Sequence, residues 1–187
     1  MMKKLIILLF TVFLSVGSLS AQSTDIKKLK QLANQGNVEA QYFLGVAYDL
    51  GGVGVPQDDA QAVKWYRLAA DQGYADAQFN LALMYANGQG VPQDFVQAMK
   101  WFRLAADQGL ADAQLALGVA YANGKGVPQD DAQAVKWYRL AADQGLADAQ
   151  FNLGLMYANG QGVPHDDVQA VKWTRLAADQ GYADAQR

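Results

Sequence analysis

Residues 146–181 read LADAQFNLGLMYANGQGVPHDDVQAVKWTRLAADQG, and residues 110–145 repeat that string at 28 of 36 positions. The same frame extends outward along the chain. Trp65, Trp101, Trp137 and Trp173 stand 36 residues apart, as do Pro56, Pro92, Pro128 and Pro164. The doublet Ala-Gln returns at Ala40-Gln41, Ala77-Gln78, Ala113-Gln114, Ala149-Gln150 and Ala185-Gln186. Its first interval alone is 37, because the loop from Asp49 to Val55 carries one extra residue. A fixed period of this length marks a stack of units, none of which buries its apolar face alone. The copies fall at 37–73, 74–109, 110–145 and 146–181, with a partial fifth over 182–187. A finer alternation lies on top. Val46-Ala47 matches Val119-Ala120, and Leu83-Met84 matches Leu155-Met156, as duplication of a two-repeat unit would leave them.

Each copy contains two helix patterns. In the second, Ala98, Trp101, Phe102, Ala105 and Ala106 fall at i, i+3, i+4, i+7 and i+8, a single apolar stripe. Ala62, Trp65, Tyr66, Ala69 and Ala70 repeat it. Pro92-Gln93-Asp94 marks the start, with Asp94 placed to accept from free N–H groups of the first turn. Gly109 stands where a left-handed residue is needed at the end. The first helix runs from near Asp76 to about Ala86, burying Ala77, Leu81, Ala82 and Tyr85. Asn87-Gly88 ends it, since both residues tolerate positive φ. The tryptophans and tyrosines, at helical spacing in every copy, read as core between helix pairs.

The pattern Ala-x-Ala-Gln-x-x-Leu-Gly-x-x-Tyr-x-x-Gly-x-Gly-Val-Pro-x-Asp, followed by Ala-x-x-Trp-Tyr-x-x-Ala-Ala-x-x-Gly, resembles the Sel1-like repeat family, a relative of the tetratricopeptide repeats. Residues 147–181 show it almost completely, from Ala149-Gln150 and Leu153-Gly154 through Gly162-Val163-Pro164 to Trp173 and Ala177-Ala178. Ala82 departs from it by replacing glycine, and Thr174 by replacing the aromatic after Trp173. The resemblance implies an all-α fold, a right-handed α/α superhelical solenoid of about four 36-residue helix-turn-helix repeats. It also implies an adaptor that assembles other proteins, not an enzyme, and first helices that line the concave side. Cysteine-rich members are reported to bind penicillin-like ligands. This chain has no cysteine, so that activity does not carry over.

The two ends read differently from the middle. Met1-Met2-Lys3-Lys4, the apolar run from Leu5 to Val16 and the small residues Gly17-Ser18-Leu19-Ser20-Ala21 have the order of a secretory signal peptide. It spans 1–21, with cleavage expected after Ala21. Cleavage after Ser20 and an uncleaved anchor are the alternatives, the apolar core being short for a membrane span. The mature chain is then expected to be periplasmic or secreted. Residues 22–36 read as an N-terminal capping helix, with Lys27, Lys28 and Lys30 on a solvated face. Gly181 to Arg187 begins a further repeat, open to three readings: truncation of a longer repeat protein, a frayed end, or an end that a partner covers.

Composition excludes several functions. Lys plus Arg is 15 against 18 Asp plus Glu, without the clustered positive charge a nucleic-acid surface needs. The lack of cysteine removes disulfides and thiolate metal sites. The lone histidine, His165, takes the loop place held by Gln57, Gln93 and Gln129, and reads as a surface substitution. Gly88-Gln89-Gly90 follows a helix, not a strand, so it is no dinucleotide fingerprint. No cofactor, no metal and no membrane contact beyond the export signal are expected. Asp71, Asp107, Asp143 and Asp179 stand at helix C-termini, where negative charge is unfavourable. Capping does not explain them.

The expected partner is a protein or peptide. Packing fixes structural positions, so places that vary between copies are the binding candidates. On the first helices these give Asn80, Met84, Ala116, Ala120, Asn152 and Met156, a groove offering amides to a backbone and methionine to apolar side chains. The competing assignment is that they complete packing between repeats. Gln89, Lys125 and Gln161 form a second candidate rim. A cell-wall-directed enzyme or small-ligand binder is the rival function.

Overall fold

The computed structural model describes residues 19–52 and 54–182, with side chains from residue 26 onward. The chain forms nine helices among the described residues: α1 (Leu19–Asn34), α2 (Val38–Leu50), α3 (Asp59–Asp71), α4 (Ala75–Asn87), α5 (Phe95–Asp107), α6 (Ala111–Asn123), α7 (Asp131–Asp143), α8 (Ala147–Asn159) and α9 (Asp167–Asp179). Helices α2/α3, α4/α5, α6/α7 and α8/α9 are the four hairpins of an all-α, right-handed solenoid, and α1 packs on α2. The expected cap and the observed α1 differ at the start, since α1 begins at Leu19. The rest of the expected signal, residues 1–18, and the end of the partial fifth copy, 183–187, lie outside the described residues.

The punctuation acts as its chemistry demands. Asp58, Asp94, Asp130 and Asp166 cap the second helices, each accepting from the N–H three residues on at 2.9–3.0 Å. The first helices of the later copies have Tyr74, Leu110 and Leu146 at this place, with no side-chain cap. Asn37 caps α2, accepting from Ala40 N–H at 2.8 Å. Gly88 is left-handed (φ 69°) and closes α4. Gly90 also has positive φ, and a β-carbon there would stand 2.3 Å from the Asp59 carbonyl oxygen. Gly126 and Gly162 meet the next helices in line in the same way. The inter-helix loops of the second, third and fourth copies thus lie directly on the start of the preceding repeat's second helix, which fixes their spacing in the stack.

Tryptophan fills the space between hairpins. Trp137 joins Ala98, Ala105 and Leu117 in one buried cluster, and Trp173 joins Val135, Ala142 and Leu153 in the next. The indole N–H groups of Trp65, Trp137 and Trp173 are buried without a protein acceptor. Their rings are held by packing and by cations over their faces, as Arg103 lies 4.8 Å from the Trp137 centroid.

The Ala-Gln doublet forms a ladder. Gln41, Gln78, Gln114 and Gln150 are buried. Their amide Nε2 groups donate to the carbonyls of Ala33, Ala70, Ala106 and Ala142 at 3.1–3.2 Å. These are carbonyls in the last turn of the preceding helix, which the helix itself leaves short of donors. Each Oε1 in turn accepts from Gln72, Gln108, Gln144 or Gln180, just past the end of the repeat's own second helix, at 2.7–2.8 Å. One side chain therefore ties three helices together.

Asp107 pairs with Arg103 of its own helix at 3.4 Å, not with an adjacent repeat. This exposed pair is worth little. The structure gives no reason for the aspartates at the other helix ends.

Candidate functional site

The first helices α2, α4, α6 and α8 form one face of the stack. The backbone beneath it is nearly identical from copy to copy, while the side chains alternate. Where α2, α3 and α4 meet, Tyr42, Val46, Val63, Tyr66 and Met84 form a continuous core. The Tyr66 hydroxyl donates to Asp49 Oδ2 at 3.1 Å. Tyr42 stacks obliquely on Tyr74, with centroids 5.0 Å apart. The Asn80 amide faces the hydroxyls of both Tyr42 and Tyr66. Burial raises the Tyr66 hydroxyl far above its ordinary range, and burial with the Asp76 charge pushes Tyr42 up to about 12. Neither ionises at neutral pH, so both remain hydrogen-bond donors.

Where α4, α5 and α6 meet, the chemistry changes. Phe102 replaces tyrosine, Ala116 replaces asparagine, Met99 replaces valine and Ala120 replaces methionine. The first two changes form a pair: tyrosine hydroxyl with asparagine amide in one interface, ring edge with methyl in the other. Tyr138 and Asn152 bring the same two residue types back at the third interface. The methionine has moved from the first helix to the second, and the smaller total volume leaves a hollow. Its walls include Phe79 and Phe102, 5.6 Å apart between centroids, with Phe95, Leu115, Ala116 and Val119. The hollow measures about 370 Å³, at the small end of the range for ligand sites.

The candidate residues divide accordingly. Met84 is 2% exposed, and Ala120 and Met156 are also buried. Met84 and Met156 pack between repeats, so the expectation that they present a contact surface is corrected, while Ala120 lines the floor of the hollow. A solenoid helix has neighbours on three sides, and its buried arc is wider than one amphipathic stripe. Asn80, Ala116 and Asn152 are half-buried on the first-helix face. Asn80 is engaged with the tyrosines, and Ala116 lines the hollow. Gln89, Lys125 and Gln161 are exposed at the rim, and Lys125 alone of them borders the hollow. Sequence reasoning missed Phe95, Asp112 and Val119 as wall residues. Phe95 carried a signal, because it stands where Asp59, Asp131 and Asp167 stand, an apolar residue in an otherwise acidic first turn.

His165 is exposed and lies 3.2 Å from Asp167. Among the described residues no group of three or more His, Cys, Asp or Glu side chains could hold a metal ion. No helix there is long and apolar enough to cross a membrane.

Known proteins with this architecture share its repeat. A protective antigen of uropathogenic Escherichia coli strains, displaying an SLR fold, is 46% identical over 85% of this chain, with a TM-score of 0.83. A Sel1 repeat protein from Oxalobacter formigenes is 45% identical over 84%, with a TM-score of 0.77. The chain spans 34% and 46% of the length of those two proteins. A chitin synthase regulator of Malassezia restricta is 37% identical over 60 residues, which are 32% of this chain and 4% of the regulator. Proteins built from this repeat are generally non-catalytic scaffolds for protein interaction. The Sel1 repeat pattern matches residues 38–74, 75–110, 111–146 and 147–182, so nearly the whole described chain is accounted for and the protein belongs to the Sel1 repeat family.

Proposed function

We propose that this chain is a non-catalytic scaffold that holds other proteins along its concave first-helix face, in the bacterial envelope or outside the cell. The observation that carries this reading is the contrast between a fixed frame and a varied face. The Trp, Pro, loop Gly and buried Gln positions recur without change, while the half-buried first-helix positions differ from one copy to the next. A repeat with no partner has no need for such differences at solvent-facing places. The location rests on the basic, apolar and small segments of residues 1–21. A protective antigen of uropathogenic Escherichia coli among the proteins it resembles supports an exported role. A regulator among them supports action through binding rather than turnover.

Crosslinking in the native envelope, followed by capture of the tagged chain, tests both parts. A defined protein partner should appear in envelope or secreted fractions, attached through first-helix residues. The captured chain should begin at Gln22. Crosslinks confined to α3, α5, α7 and α9, or a chain retained in the cytoplasm with Met1 intact, would overturn the reading.

A further inference from the structure

The hollow between the second and third repeats differs from the other interfaces in its charges as well as its volume. Asp112 stands on its wall at the N-terminal end of α6, and Lys125 stands just past the C-terminal end. The 13 residues of α6 separate these charges by about 20 Å. Lys125 is particular to this groove, since the equivalent loop places hold Gln89 and Gln161. At the acidic end Asp76, Asp112 and Asp148 occupy the same first-turn place on successive helices. Burial and the Asp112 charge hold the Asp76 carboxyl above its ordinary range, and burial and the Asp148 charge do the same to Asp112. A cation placed between Asp76 and Asp112 relieves that repulsion.

Resting on the scaffold reading above, we infer that this groove is a specific subsite for a short peptide segment of a partner protein, with apolar side chains at its centre, a lysine or arginine at one end and a carboxylate at the other. The apolar side chains enter against Phe79, Phe102 and Val119. The cation pairs with Asp112 and Asp76, and the carboxylate meets Lys125. An extended segment covers the distance with roughly six residues at about 3.3 Å each. The rim charges set direction and on-rate, and the hollow provides most of the hold.

The test uses the full chain and fluorescent synthetic peptides of roughly seven residues, with two lysines, a Leu-Phe-Leu centre and two glutamates. A second peptide carries serines at the centre. The hollow is closed with residues the other interfaces already use, in the variant Met99→Val/Phe102→Tyr/Ala116→Asn/Ala120→Met. Binding of the first peptide should fall tenfold or more in that variant, and by a similar factor for the serine peptide on the natural chain. Asp112→Lys should weaken binding several-fold, with a weaker response to salt. Circular dichroism confirms folding of each variant. The subsite is refuted if the natural chain does not bind the first peptide, or if the closed variant binds it equally well. Equal binding of an uncharged apolar dye, displaced by no peptide, refutes it in favour of general stickiness. Crosslinks to a partner elsewhere on the first-helix face would remove this subsite and leave the scaffold function standing. Failure to capture any partner would remove the function itself.

Discussion

The interface between the first two repeats and the interface between the second and third have the same helices, loops and glutamine rungs, yet they use their volume differently. In the first, Tyr66 and Met84 fill the joint, and Asn80 faces the tyrosine hydroxyls. In the second, Phe102, Ala116 and Ala120 leave the joint open to solvent and apolar. Gly45 lies so close to Tyr66 that a β-carbon would meet its ring at 2.6 Å, and Gly118 lies at 2.4 Å from Tyr138. In the second repeat Ala82 stands at that place and its partner is Phe102. A frame strong enough to set the backbone leaves side chains at the joints free to specialise.

Breaking the packed joint should produce the largest effect. Met84→Ala opens at the first interface a hollow like that at the second, and should cost about 2–5 kcal/mol in chemical denaturation. A loss under about 1 kcal/mol would mean that this joint is no better filled than its neighbour. Next is the glycine contact: Gly118→Ala drives a methyl into Tyr138 and should cost about 1–3 kcal/mol. Ala82→Gly, the reverse change beside Phe102, removes a buried methyl and adds the helix penalty of glycine, and should cost at least about 1 kcal/mol.

The polar pair gives a sharper comparison. Asn80→Ala should lose about 1 kcal/mol, and Ala116→Asn a similar amount for an amide facing Phe102 instead of a hydroxyl. Adding Phe102→Tyr should recover part of that loss, so a thermodynamic cycle on positions 102 and 116 should show coupling of at least about 0.5 kcal/mol. Additive effects would dissolve the pairing.

The smallest effect is a pH dependence in the acidic row that the joints share. The Asp112 carboxyl is raised in the folded chain by burial and by the Asp148 charge. Its contribution to stability is full below the unfolded value, about pH 4, and is lost as pH climbs through the folded one. Melting curves of Asp112→Asn should therefore gain on the natural chain as pH rises from about 3 to 7. A gap that stays constant or shrinks would remove the strain assigned to the acidic row.

Much of the fold was legible because every signal came four times over. Pro92, Asp94 and Gly88 each announce a backbone event whose cause is local, and the structure places all three as their chemistry requires. The partners of Gln78 were hidden for the opposite reason. One lies eight residues back and the other thirty ahead, and only the stacking brings them together. Met84 and Met156 were misplaced because helical periodicity reports one neighbouring surface, whereas a helix inside a stack has several. The alternation of Asn80, Ala116 and Asn152 was visible, but its matching alternation of Tyr66, Phe102 and Tyr138 acquires meaning only when the two columns face each other. The wall residues of the hollow come from three helices, and no linear window contains them.

Each glutamine rung draws on the same offsets, eight residues behind and thirty or thirty-one ahead. Excising or inserting one whole 36-residue unit leaves every remaining rung with its two counterparts. Length in such a protein is therefore quantised. Recombination between near-identical copies can lengthen or shorten it by whole modules without breaking a bond pattern, whereas a slip of any other size severs the rung at the junction. Selection on reach, or on the number of specialised joints, can act without first having to repair the fold.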